Sequence, residues 1–154
     1  MDLFFTLLLY LAAAFFSTVA FSVLFSVPKR QYLFCGIVGT FGYAIYYLVN
    51  LKSEAVLATF FATVAVALVS RLLAVVRKCP VTVLMIPGII PLAPGAGVYY
   101  TAYNLMRNDA SAAAYANETL KIALAIVLGI IIVFALPIKH RAFMLRPRKA
   151  AKEP

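Results

Sequence analysis

Apolar residues run along this chain in stretches long enough to cross a bilayer, separated by short polar or charged breaks. A helix needs roughly 20 such residues to span the hydrocarbon layer. The first stretch covers residues 3–27 and stops at Pro28-Lys29-Arg30. It opens Met1-Asp2-Leu3 without Lys or Arg and is longer than a signal-peptide core of about 7–15 residues, so it reads as a retained helix. The second covers 31–50, the third 54–76, and the last, the most uniformly apolar, covers 119–138.

Small and polar residues punctuate these runs at helical spacing. Gly36, Gly39 and Gly42 recur every third residue of the second stretch. Read as one face, they let another helix approach closely where lipid gives no hydrophobic drive for association. Thr59, Thr63, Ala67 and Ser70 line one face of the third.

Residues 81–106 are long enough to cross but carry Pro87, Pro91 and Pro94 with Gly88, Gly95 and Gly97. An internal proline removes a helix hydrogen bond and clashes with the preceding turn, costing about 3 kcal/mol. The segment is therefore either a re-entrant hairpin or a span made of two half-helices.

Charge decides between them. With the N-terminus outside, crossing places Lys29 and Arg30, then Arg77 and Lys78, then the tail with Lys139, Arg141, Arg146, Arg148, Lys149 and Lys152 on the cytoplasmic side. Lys52 with Glu54, and Arg107 with Asp109 and Glu118, fall outside. That arrangement obeys the positive-inside rule, whereas a hairpin would leave the basic tail on the wrong side. The expected fold is all-α: a polytopic integral membrane helix bundle of five spans, the fourth broken into two half-helices. A basic cytoplasmic tail at 139–154 follows.

Composition agrees and narrows the function. Of 154 residues, 65% are apolar and 12% charged, with a mean hydropathy of +0.99. The net charge of +9 sits in loops and tail, so the partner it implies is the lipid bilayer and no nucleic acid. Cys35 and Cys79 form no disulfide framework or metal motif, and His140 has no acidic neighbour. Neither a cofactor, a metal nor a catalytic constellation is expected, and the chain reads as no enzyme.

The broken fourth span is the candidate site. Backbone groups freed at depth must be met by protein or by water in a cavity. A second half-helix beginning near Ala96-Gly97-Val98 aims its N–H groups at a substrate carboxylate near the break at Pro91 and Pro94, while the first offers carbonyls to a cation. Arg71, inside the third span, is either functional or snorkelling to the headgroups. Tyr43, Tyr46, Tyr47, Tyr99, Tyr100 and Tyr103 read mainly as interface tyrosines. No carboxylate lies deep in a span, which points to a partner.

Several motifs together resemble the small subunit of the threonine/serine exporter family. They are Phe21-Ser22-Val23-Leu24-Phe25-Ser26-Val27-Pro28-Lys29-Arg30, Cys35 with Gly39 and Gly42, Ser70-Arg71, Pro80, Pro87-Gly88-Ile89-Ile90-Pro91-Leu92-Ala93-Pro94-Gly95, and Tyr99. The resemblance implies the C-terminal half of a ten-span type of exporter, working with a larger membrane subunit in the inner (plasma) membrane. It implies proton-motive-force-driven export of small-molecule metabolites, threonine and serine or dicarboxylates such as succinate. The tyrosine density at Tyr43, Tyr46 and Tyr47 departs from the family's pattern. On this reading Pro91, Pro94, Gly95, Gly97, Tyr99 and Arg71 are the substrate-binding residues. The alternative is a non-transporting scaffold or assembly subunit that docks through its Gly-rich second span.

Overall fold

The computed structural model describes residues 3–136; the expected tail at 139–154, its charges and the end of the last expected span lie outside them. Every regular element is helical: α1 (Leu3–Leu24), α2 (Tyr32–Asn50), α3 (Ala55–Arg77), α4 (Val81–Ile89), α5 (Gly95–Met106) and α6 (Ala112–Ala135). A 3-10 turn, Ile90–Leu92, prolongs α4. Among the described residues α1, α2, α3 and α6 are each long and apolar enough to cross a membrane, and α4 with its turn joins α5 as a pair bent by 50°.

Two helix ends use one device. After α1 the Val27 N–H reaches back to the Ser22 carbonyl, with Ser26 left-handed at φ 54° and Pro28 following. After α3 the Cys79 N–H reaches the Ala74 carbonyl, with Lys78 at φ 53° and Pro80 following. This six-to-one closure satisfies carbonyls that the helix leaves unpaired, and the proline forbids continuation. Both turns lie at one end of the bundle, where Arg77 donates to Gln31 Oε1 at 3.3 Å and covers the Phe34 ring at 4.2 Å. Val27, Cys35, Ala74 and Leu84 close the core beneath them.

The glycines of α2 serve two neighbours rather than one. A Cβ on Gly36 would overlap Phe15 and one on Gly39 would overlap Thr18, both on α1, whereas Gly42 abuts Val66 of α3. The reason is rotational: three residues turn about 300° rather than 360°, so the row winds across the helix and meets two partners in succession. Gly88 of α4 fits against Val38 and Val66. The expected small-polar stripe of α3 is buried as a whole. The Thr59 and Thr63 hydroxyls donate to the carbonyls four residues earlier, each at 2.8 Å. They pack as small side chains without an unmet hydrogen bond.

α6 lies beside α3 and runs the same way. Gly129 packs on Thr63, Val133 on Ala67, and Arg71 donates to the carbonyls of Val133 and Leu136. A hairpin at α4–α5 would have set α6 antiparallel to α3. Their shared direction means that α4 and α5 together carry the chain from one end of the bundle to the other. α6 also starts at Ala112, well before the expected span at 119. Carrying the α3–α6 register along straight helices puts Lys121 level with Ala55, so residues 112–120 stand roughly 13 Å beyond the start of α3. At that tip Asp109 Oδ1 accepts from the Ser111 N–H and hydroxyl, both at 2.9 Å, which holds its carboxyl below the usual range.

The close approach at Gly42 has a measurable cost when filled. Gly42→Leu should destabilise the detergent-solubilised protein by about 1–3 kcal/mol through overpacking. Gly95→Ala, where an added Cβ meets nothing within 4 Å, should not lower the melting temperature. Equal melting of wild type and Gly42→Leu would refute the α2–α3 packing.

Candidate functional site

The break is built in three steps from three prolines. Pro87 lies inside α4 and brings no N–H, so the Val83 carbonyl loses its helical partner. Cys35 of α2 supplies a replacement: its Sγ donates to the Val83 carbonyl at 3.5 Å. Pro91 then falls in the 3-10 turn, which closes with Ala93 N–H to the Ile90 carbonyl at 3.0 Å. Pro94 ends it by forcing the residue before it out of the helical region, and Ala93 is extended at ψ 138°. Gly95 N–H folds back to the Ala93 carbonyl at 2.8 Å and α5 begins.

A cavity of about 210 Å³ opens beside this turn. Pro91, Leu92, Ala93 and Pro94 form one wall, Tyr43 and Tyr46 of α2 with Thr59 of α3 the second, and Ile122 of α6 the third. Among the described residues no charged side chain lines it. Its polar groups are phenol and threonine hydroxyls, together with backbone ends that the break exposes. Thr59 Oγ1 spends its proton on the Ala55 carbonyl and keeps its lone pairs. Tyr43 is positioned by ring contacts to Tyr10 and Tyr46, at 6.3 and 5.7 Å between centroids. The N-cap of α5 is Pro94 itself, which lines the cavity without a capping side-chain bond. A helix start of this kind carries partial positive charge and favours a carboxylate.

The six expected site residues separate. Pro91 and Pro94 line the cavity, and Gly95 follows them into open space. Gly97 faces Thr119, where its missing side chain lets α5 and α6 touch. Tyr99 points outward, 62% exposed, and stacks on Tyr103 at 6.1 Å. Arg71 is elsewhere: it lies about 18 Å along α3 from Thr59, and its NH1 donates to the Val133 and Leu136 carbonyls at 2.5 and 2.8 Å. It caps the end of α6, as a cation at a helix C-terminus does. Sequence reading did not bring Thr59, Tyr43 and Tyr46 to the prolines, because three separate helices deliver them. Among the described residues no cluster of His, Cys, Asp or Glu could hold a metal.

The family profile described as Threonine/Serine exporter, ThrE, matches residues 10–136. No curated protein and no solved structure matches the chain significantly. The matched stretch takes in α2 through α6, most of α1 and the entire break, so the chain belongs to the threonine/serine exporter family. It is thus a multi-pass membrane protein of an exporter-type transporter family.

The thiol contact at the break makes a testable pair. Cys35→Ala should cost about 1–3 kcal/mol, the penalty of stranding a buried acceptor. In a Pro87→Ala background position 87 regains its own N–H for Val83, so the same Cys35→Ala change should cost clearly less. A double-mutant cycle on unfolding in detergent measures the coupling, and additive effects would dismiss the role given to Cys35.

Proposed function

We propose that this chain is one half of a secondary exporter of small metabolites, with the transported molecule held where α4 gives way to α5. The observation that carries this is the cavity at Pro91 and Pro94. It joins an interrupted backbone to hydroxyls from two other helices at a place lipid cannot serve. Broken helices of this kind supply transporters with N–H groups for a substrate carboxylate and carbonyls for a cation. Threonine or serine, or a dicarboxylate such as succinate, is the cargo, and proton-motive force is the drive. Tyr43, Tyr46 and Thr59 contact the substrate with Pro91, Pro94 and Gly95, while Gly97 and Tyr99 set the position of α5.

The chain counts five spans if α4 and α5 form one, and an odd half fits completion by a larger membrane subunit. Charge supports an orientation in the inner membrane with the N-terminus outside. The end carrying the α1–α2 and α3–α4 turns holds Lys29, Arg30, Arg71, Arg77 and Lys78 and no described carboxylate. The opposite end balances Lys52, Arg107 and Lys121 against Glu54, Asp109 and Glu118. The scaffold alternative loses its docking face, because the glycines of α2 are filled by α1 and α3 of the same chain.

Co-expression with the larger subunit should lower intracellular threonine, serine or succinate and raise the external pool, and a protonophore should abolish the difference. Tyr43→Phe and Tyr46→Phe should each slow export about two- to tenfold, the worth of one hydrogen bond, without loss of membrane insertion. Wild-type export by both variants and by Pro94→Ala would remove the cavity as the transport site.

A further inference from the structure

Buried side chains stop at one level of the bundle, and the cavity at the break lies at that level. Toward the end that carries the α2–α3 turn, the outermost buried residues are Ala14 of α1, Gly42 of α2, Ala58 of α3, Leu92 after α4 and Ala125 of α6. Past them none of the described side chains on these helices or on α5 is buried. Thr59, which lines the cavity, is about 6 Å from the start of α3. In the other direction the buried face of α3 continues through Val66 and Ser70 to Ala74, about 24 Å from Ala58. α4 and its turn take part in every core cluster along that column. Leu84 packs with Val27, Cys35 and Ala74, Met85 with Ala67 and Val133, and Leu92 with Val38, Ala62 and Val66.

We infer that α4 is a gate on the basic side of the bundle, and that this structure holds it shut while the cavity meets water from the α2–α3 end. The inference rests on the reading of that cavity as the transport site and adds which way the site faces. With the basic end in the cytoplasm, it is the releasing state of an exporter. α4 has only nine residues, and the chain can turn at both of its ends. A left-handed closure at Lys78 and then Pro80 precede it, and Pro91 and Pro94 end the turn that follows. Gly88 seats it without a side chain: an added Cβ would stand 2.9 Å from Val38 and 3.2 Å from Val66. Withdrawal of this one short helix therefore loosens all three clusters together. Ser70 Oγ, buried in the column without a partner, gains a hydrogen bond from water that enters, so opening relieves an unmet polar group.

The test is hydroxyl-radical footprinting of the full-length chain in nanodiscs, read by mass spectrometry against references of the same residue type. Tyr46 at the cavity should be modified at a rate within a few-fold of Tyr103, which is 43% exposed on α5. Phe16, 70% exposed along the middle of α1, should stay unmodified, because lipid covers it and carries no radicals. Met85, within the column, should react at least about tenfold more slowly than the exposed Met106, as a minor open state allows. Gly88→Ala pushes α4 off its seat and should raise Met85 oxidation several-fold with Tyr46 unchanged. Gly36→Ala, which loosens α1 from α2 instead, should leave Met85 protected. Should Gly88→Ala fail to fold, Leu84→Ala decides in its place by removing the packing of α4. Protection of Tyr46, oxidation of wild-type Met85 at the Met106 rate, or an equal rise in Gly36→Ala would overturn the gate. So would an unchanged Met85 rate in folded Gly88→Ala or in its substitute. Footprinting needs no transport, so failure of the export test and failure of the gate are separate results.

Discussion

Within an apolar layer no water stands by to accept a stray backbone hydrogen bond, and most of this architecture follows from that single restriction. Where the helices are regular the condition is met for free. Where they are not, a side chain arrives from somewhere else. Cys35 meets the Val83 carbonyl that Pro87 releases, and Arg71 meets the carbonyls at the end of α6. Thr18, Thr63, Thr101 and Thr119 return their protons to carbonyls of their own helices. Only Ser70 Oγ is buried among the described residues with no partner.

Small residues provide the second condition, closeness. Gly36, Gly39, Gly42 and Gly88 bring α1, α2, α3 and α4 within reach of one another, and only at that separation can a thiol bridge to a carbonyl on the next helix. Packing and hydrogen bonding are therefore one arrangement here. By contrast α5 buries none of its side chains and rests on α6 through Gly97 and Thr119. The half-helix after the break is held from one side, a suitable state for an element that moves with a substrate or meets a second subunit in the proposed reading.

Much of this could be read from sequence, for identifiable reasons. Long apolar runs gave the helices, and the prolines gave the break, because both are local properties. Charge placement favoured a crossing over a hairpin, and the parallel run of α3 and α6 agrees. α6 begins ahead of the apolar run at 119 because hydropathy reports an environment rather than a conformation. Residues 112–118 are largely Ala-rich and helix-forming yet carry Asn117 and Glu118. The glycine row was read as one face because the drift of a three-residue step was neglected. The partners of Pro91 and the role of Arg71 depend on tertiary approach, and no spacing along the chain encodes them.

The sulfur at the kink has a use beyond holding it. Cys35 is fully enclosed, walled in by the same helix whose carbonyl it binds. A thiol reagent reaches it only if the packing of Val27, Ala74 and Leu84 around it opens, as it would when α4 lifts away from α2, and the half-buried Cys79 can be replaced by serine to leave one reporter. The rate of alkylation at Cys35 then becomes a clock for the motion of the broken span, read without attaching any label to the working surface.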